Sequence, residues 1–183
     1  MPHRAFIGIG TNRGDRAANF RDAIRRIGML PSTRVVRQSS IYETEPVGDI
    51  QGFFLNGVIE ANTTMLAEEL LRCLLVIERT MGRKRPSARK RNARRTPQPR
   101  IIDLDLLFFE NLVIDTPALQ LPHPRLHERR FVLAPMAELA PMLIHPILNK
   151  SISELLAGLK SPYRVALARA DMLRPHPSRS EVL

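Results

Sequence analysis

Apolar residues in the first third of the chain change rhythm from one segment to the next, and each rhythm predicts an element. Residues 4–10 (Arg-Ala-Phe-Ile-Gly-Ile-Gly) read as a first strand, which enters a turn at Thr11-Asn-Arg-Gly14-Asp15. Phe20, Ile24 and Ile27 then recur at helical spacing, which predicts a helix over about 16–29 that stops near Pro31. Residues 34–44, rich in Val, Ile, Thr and Tyr, predict a second strand broken by the turn chemistry of Glu45-Pro46-Val47-Gly48-Asp49. Phe53 to Asn62 predicts a third strand, returning as a hairpin partner. A second helix is expected over about 65–81, with Leu66, Leu70, Leu74 and Ile77 on one face and Glu68 and Glu69 in the first turn. The run Asp103-Leu-Asp105-Leu-Leu107-Phe-Phe109 predicts a fourth strand. Short apolar pieces at 112–114 and 119–121 suggest further edge pairing. Helical regions follow at about 131–139 and 151–159, and the tail from Asp171 is expected to be disordered.

The order strand, helix, strand, strand, helix, strand is that of a split βαβ unit. It predicts an α+β fold, a ferredoxin-like α/β sandwich with a mainly antiparallel sheet flanked by helices. With 183 residues, one folded domain over 1–160 and a C-terminal extension over 161–183 are expected.

Composition adds one surprise. The formal charge is +10, but nine of the basic side chains lie between Arg83 and Arg100, a stretch without a single acid, which leaves +1 for the rest of the chain. The excess is therefore one local patch, suited to a polyanion such as a nucleotide triphosphate or a nucleic acid. The same stretch has prolines at 86, 97 and 99 and no apolar periodicity, so a mobile loop is expected. It contains no aromatic residue on which a base could stack, which favours phosphate binding over base reading. Cys73 is the only cysteine, which excludes an intramolecular disulfide and a Cys-cluster zinc site. The opening Met1-Pro-His-Arg-Ala-Phe lacks an apolar signal core, and no run approaches the ~18 apolar residues of a membrane span. A cytoplasmic location is the expectation.

Directly after the basic patch come two acids of the opposite character. Side chains alternate along a strand, so Asp103 and Asp105 share a face, with Cα atoms roughly 6.5–7 Å apart. Carboxylates in an apolar strand are expensive to desolvate unless neutralised. Paired acids that could hold a cation, beside bases that could hold an anion, suggest a metal–polyphosphate site of the kind Mg²⁺ forms with one or two carboxylates and substrate phosphates. The alternative is that both acids sit at an exposed strand end and bind nothing, while the basic run is a solvated segment or an RNA-binding arm. Farther on, Leu121-Pro122-His123-Pro124-Arg125-Leu126-His127-Glu128-Arg129-Arg130-Phe131 puts two histidines and three arginines near a helix start, where they could contact phosphates. Neither a Walker phosphate loop nor a protein-kinase catalytic loop occurs. Gly14 and Asp15 read as turn and helix cap.

Taken in order, several segments resemble the 6-hydroxymethyl-7,8-dihydropterin pyrophosphokinases of folate synthesis. They are Ile7-Gly-Ile-Gly10-Thr-Asn12 through Asp15, Ser39-Ser-Ile-Tyr42-Glu-Thr44-Glu-Pro46-Val-Gly48, and Phe53-Phe-Leu-Asn56. Ile77-Glu78 to Gly82-Arg83, Pro99-Arg100 to Asp105-Leu, and Pro122-His123 to Phe131 complete the set, over about residues 4–145. The resemblance implies Mg²⁺-dependent transfer of pyrophosphate from ATP to the pterin hydroxymethyl oxygen, with release of AMP. It implies that Asp103 and Asp105 hold two Mg²⁺ ions and that Arg83 and Arg100 are catalytic. Glu78, Arg83, Arg85, Arg100, His123 and Arg129 correspond to ATP contacts. Thr44, Val47, Phe54, Asn56 and Phe131 correspond to the pterin site. Its partners would be these two small molecules, with no nucleic acid and no membrane, and a monomer is the expectation.

The chain also departs from the family pattern. Thr96-Pro97-Gln98-Pro99-Arg100 replaces the usual Trp-Gly-Pro-Arg or Asn-Gly-Pro-Arg, and the basic loop is longer than in compact members. Phe54 stands where tyrosine is often found, and Ala118 where an arginine is matched. The alternatives are a noncatalytic RNA-binding ferredoxin-like domain, or a degenerate relative that binds pterin or nucleotide without transfer.

Overall fold

The computed structural model describes residues 1–45, 52–83 and 100–169. The basic run between Lys84 and Pro99, the turn residues Pro46 to Gln51, and the tail beyond Arg169 lie outside the described residues. The expectations of a mobile loop and a disordered tail fall there.

Five strands and two helices carry the predicted split βαβ order. They are β1 (His3–Thr11), α1 (Arg16–Gly28), β2 (Thr33–Gln38), β3 (Tyr42–Thr44), β4 (Phe54–Thr63), α2 (Ala67–Thr80) and β5 (Asp103–Phe109). The Asp15 carboxylate caps α1 by accepting from Ala18 N at 2.9 Å, and Gly14 takes φ +70° in the turn before it. Ala17, Phe20, Ala23 and Ile27 form the buried stripe of α1. Glu69 accepts from Leu66 N at the start of α2 at 2.9 Å, and Glu68 and Glu69 there favour the helix dipole.

The predicted second strand is divided. Both β2 and β3 pair antiparallel with β4, but Ser39 interrupts them. Its hydroxyl accepts from Val58 N at 3.0 Å and donates to Ser40 O at 2.7 Å, so it takes the place of the return bond in a pair whose Ser39 N still donates to Val58 O at 2.9 Å. The pieces at 112–114 and 119–121 form no edge of the main sheet. Instead β6 (Ile114–Asp115) and β7 (Gln120–Leu121) pair only with each other, and buried Leu119 and Leu121 join the core. Their apolar residues reflected burial rather than sheet pairing.

The last third contains α3 (Arg130–Leu139), the hairpin of β8 (Ile144–His145) and β9 (Lys150–Ser151), α4 (Ile152–Gly158) and β10 (Val165–Leu167). The main sheet runs β10-β3-β4-β1-β5, with β2 beside β3 on β4, and every pairing is antiparallel. One face packs Ile7, Ile9, Ile59, Leu104 and Leu106 against α1 and α2, including Phe20, Leu70 and Leu74. On the other face, Phe6, Val58 and Leu107 pack against α3 and α4 through Leu133, Met136 and Ile152. No helix among the described residues is long and apolar enough to cross a membrane.

Candidate active site

Alternation along β5 separates its leucines from its acids. Leu104 and Leu106 enter the core under α2, so Asp103 and Asp105 face the other way, onto the side that α3 covers. The strand register then sets their neighbours. Gly10 lies opposite Asp103 and Gly8 opposite Asp105, and on the far side of β1 Gly10 lies opposite Asn56. With no side chains at 8 and 10, the surface between Asn56 and the acids stays open. Two strand spacings, roughly 9–10 Å, separate Asn56 from Asp103.

The opening is a cavity of about 460 Å³, within the ~300–1,000 Å³ usual for small-molecule sites. Asp103, Asp105 and Arg100 line one end. Thr44, Phe54 and Asn56 line the other, and Arg129 and Phe131 at the start of α3 form a wall. The Asn56 amide is set by its neighbour, since Nδ2 donates to Thr44 Oγ1 at 2.6 Å in buried surroundings. That bond leaves Asn56 Oδ1 as the acceptor nearest Gly10. Behind Phe54, Arg16 at the head of α1 donates to Phe53 O at 2.8 Å and to Glu43 at 3.2 Å, which ties the ends of β3 and β4 together.

Guanidinium groups surround the acids. Arg83 donates to Asp103 Oδ1 at 2.5 Å and to Glu78, while Arg100 donates to the other oxygen of Asp103. Arg129 Nη1 lies 3.3 Å from Asp105 Oδ2 and His123 Nε2 3.9 Å from it. The two acids titrate apart. Burial favours protonation of Asp103, but the charges of Arg100 and Arg83 outweigh it and hold its pKa below the usual carboxylate value. Burial and then the charge of Asp103 raise the pKa of Asp105, and His123 and Arg129 offset this only in part. Asp105 is therefore the place in the site most short of positive charge. Burial also depresses His123, although Asp105 opposes it. Its Nδ1 accepts from Arg125 N at 3.2 Å, which leaves the proton of the neutral ring on Nε2, toward Asp105.

Most of the site residues expected from sequence meet here, some of them indirectly. Glu78, expected as an ATP contact, is 0% exposed and lies beneath β5, where it accepts from Leu104 N at 2.9 Å and from Arg83. It does not line the cavity, and acts on it from behind, through Arg83 and through a side-chain hydrogen bond with Asp103. Arg100 is held from behind by Asn12, whose Oδ1 accepts from Arg100 N at 2.6 Å and whose N donates to Arg100 O at 3.1 Å. Val47 and Arg85 lie outside the described residues. Sequence reasoning missed the supporting pair Asn12 and Arg16, and it missed Ser161 and Tyr163, which also line the cavity. Asn12 stood in the opening motif, but nothing local marks a bond to a residue 88 positions away.

Comparison with known proteins gives one consistent result. The family model of 7,8-dihydro-6-hydroxymethylpterin-pyrophosphokinase matches residues 6–141. The 2-amino-4-hydroxy-6-hydroxymethyldihydropteridine pyrophosphokinase of Methylorubrum extorquens is 39% identical over 157 residues, 85% of this chain and 93% of that protein. The protein of the same name from Bacillus subtilis is 41% identical over 140 residues, 76% of this chain and 79% of its own. Folic acid synthesis protein fol1 of Schizosaccharomyces pombe is 36% identical, and the chain spans 20% of it. A crystal structure of Plasmodium falciparum HPPK-DHPS shares the fold, with TM-score 0.67 and 15% identity, over 86% of this chain and 42% of that one.

Proposed function

Because the chain belongs to the 7,8-dihydro-6-hydroxymethylpterin-pyrophosphokinase family, and so transfers the pyrophosphoryl group of ATP to hydroxymethyldihydropterin in folate biosynthesis, we propose that Asp103, Asp105 and their arginines carry out that transfer. The observation that carries the assignment is one cavity with the acid pair at one end and Thr44, Phe54 and Asn56 at the other. A flat heterocycle fits between Phe54 and Phe131, with its polar edge on Asn56 Oδ1 and Thr44 and its hydroxymethyl group toward β5. Val47 and Arg85 belong to the pterin and ATP sets by the sequence resemblance.

The donor set fits Mg²⁺: two carboxylates side by side, one of them short of positive charge. Two ions held by Asp103 and Asp105 would supply Lewis-acid polarisation of the phosphate oxygens. The chain's own groups position the reactants and offset charge. Arg83 and Arg100, which neutralise Asp103 in the free chain, are placed to turn to phosphate oxygens; Glu78 keeps Arg83 beside Asp103, and Asn12 keeps Arg100 at the cavity wall. Arg129 and the Nε2–H of His123 lie on the Asp105 side, within reach of the nucleotide. The pterin hydroxyl oxygen bonds to the β-phosphorus as the bridge to the α-phosphate breaks, AMP leaves with the bridging oxygen, and the hydroxyl proton is given up to solvent. No covalent enzyme intermediate is needed. A cytoplasmic monomer is part of the same reading, in keeping with a single cysteine and small soluble substrates.

The test is Asp103→Asn and Asp105→Asn, each with calorimetric titration of a nonhydrolysable ATP analogue with and without Mg²⁺. Turnover should fall by about 10³-fold in each, and the Mg²⁺-dependent gain in analogue affinity should disappear, with the melting temperature kept within a few degrees. Near-normal turnover in either variant rejects the acid-pair assignment.

A further inference from the structure

The cavity has a wall that neither the motifs nor the reaction explains. After α4 the chain returns to the far edge of the sheet, where Val165 pairs with Thr44, Ala166 with Glu43 and Leu167 with Tyr42. Backbone bonds extend this pairing in both directions. Glu45 N donates to Arg164 O at 3.2 Å, and Ala168 N donates to Ile41 O at 2.8 Å. The Glu45 carboxylate accepts from Arg164 N at 3.0 Å, which fixes the approach to β10. Val165, opposite Thr44, and Tyr163, in the bend that precedes β10, both line the cavity.

Tyr163 is one of only two tyrosines in the chain. The other, Tyr42, is tied to Glu138 on α3. Tyr163 is 37% exposed, lines the cavity, and its hydroxyl has no hydrogen-bond partner among the described residues. Four strand spacings, roughly 19 Å, separate β10 from the acids on β5, which is too far for a contact with phosphate. The remaining possibility is the end of the cavity remote from the reaction, beyond Thr44 and Asn56.

We propose that Tyr163 is a substrate-contacting residue that closes the distal end of the acceptor site and selects for a flat bicyclic ring. Phe54 and Phe131 offer faces, Asn56 and Thr44 offer hydrogen bonds, and Tyr163 excludes water from the edge farthest from the hydroxymethyl group. The segment from Ser161 to Val165 is thus part of the substrate site. The inference rests on the pterin reading above.

The experiment measures binding of 6-hydroxymethylpterin and, separately, of a nonhydrolysable ATP analogue with Mg²⁺, in the full chain and in Tyr163→Ala, Tyr163→Phe and Asn56→Ala. Tyr163→Ala should weaken pterin binding about tenfold and raise its KM to match, with ATP-analogue affinity and kcat unchanged, while Tyr163→Phe restores most of the loss. In the unmodified protein, bound pterin should show nuclear Overhauser contacts to the Tyr163 ring, a readout that does not depend on a variant folding. Normal pterin binding by Tyr163→Ala, or absence of those contacts, overturns the inference while loss of binding in Asn56→Ala leaves the site reading intact. If the unmodified chain binds no pterin, the site reading fails and this inference fails with it.

Discussion

Replacing Gly10 with alanine would put a methyl carbon 2.9 Å from Asn56 Oδ1, closer than real Cβ atoms approach, with the Asp103 Cβ the next neighbour at 3.9 Å. The backbone itself does not resist, because Gly10 lies in regular antiparallel ladder on both sides and its φ is not positive. Alanine in a strand interior is in fact favoured over glycine by roughly 0.5–1 kcal/mol. The cost therefore falls on Asn56. That residue is 8% exposed, and its Nδ2 is held by Thr44 Oγ1 at 2.6 Å, so its amide can yield only by breaking that bond or swinging Oδ1 away from the cavity. A displaced buried polar group costs about 1–3 kcal/mol, which corresponds to pterin binding weaker by about 5- to 150-fold. ATP-analogue affinity should stay within about twofold, because its proposed contacts lie on the far side of β1. A calorimetric double-mutant cycle with Asn56→Ala checks the route: in the Asn56→Ala background, Gly10→Ala should cost nothing more. Equal losses in both backgrounds, or unchanged pterin binding by Gly10→Ala, would refute the role given to Asn56.

Glu78→Ala should destabilise the protein by about 3–5 kcal/mol in urea unfolding, because it leaves Arg83 without its buried partner and Leu104 N without an acceptor. It should also lower kcat more than it raises the pterin KM, since the support lost is that of Arg83, Leu104 N and Asp103, at the end of the cavity away from Thr44 and Asn56. The pKa of His145 is depressed by burial and then by neighbouring His127, so the unfolded chain takes up its proton first as pH falls. This contribution to stability is complete above about pH 6.5 and is lost as pH drops through the folded value, at no more than about 1.4 kcal/mol per pH unit. His145→Asn keeps an acceptor for Ile147 N and Leu148 N and should flatten that part of a melting-temperature profile, whereas an unchanged slope would assign it to other groups.

What could be read from sequence was what local pattern encodes. Short apolar runs bounded by turn residues located β1 and β4, helical spacing located α1 and α2, and the acids on β5 stood out because each interrupts an apolar run. The ferredoxin-like order followed from those elements alone. Contacts that depend on distant parts of the chain could not be read in this way. β10 is three residues long and is defined only by its pairing with β3, far earlier in the chain, so Tyr163 carried no signal as a site residue. Glu78 looked like a polar contact on a helix, but the way α2 packs under β5 makes it a buried brace. Ser39 split a continuous β-rich stretch through its hydroxyl, which propensity does not register. The open floor of the cavity is likewise a product of register, since Gly8 and Gly10 matter only once they stand opposite Asp105 and Asp103.

The most direct test of the account is the identity of the nucleotide released when the chain is incubated with ATP, Mg²⁺ and 6-hydroxymethyl-7,8-dihydropterin. Pterin-dependent AMP, equimolar with pterin diphosphate and absent with Asp103→Asn, is the predicted result. ADP with pterin monophosphate, or nucleotide release that does not depend on the pterin, would contradict an acid pair and arginine cluster built to move the β- and γ-phosphates together.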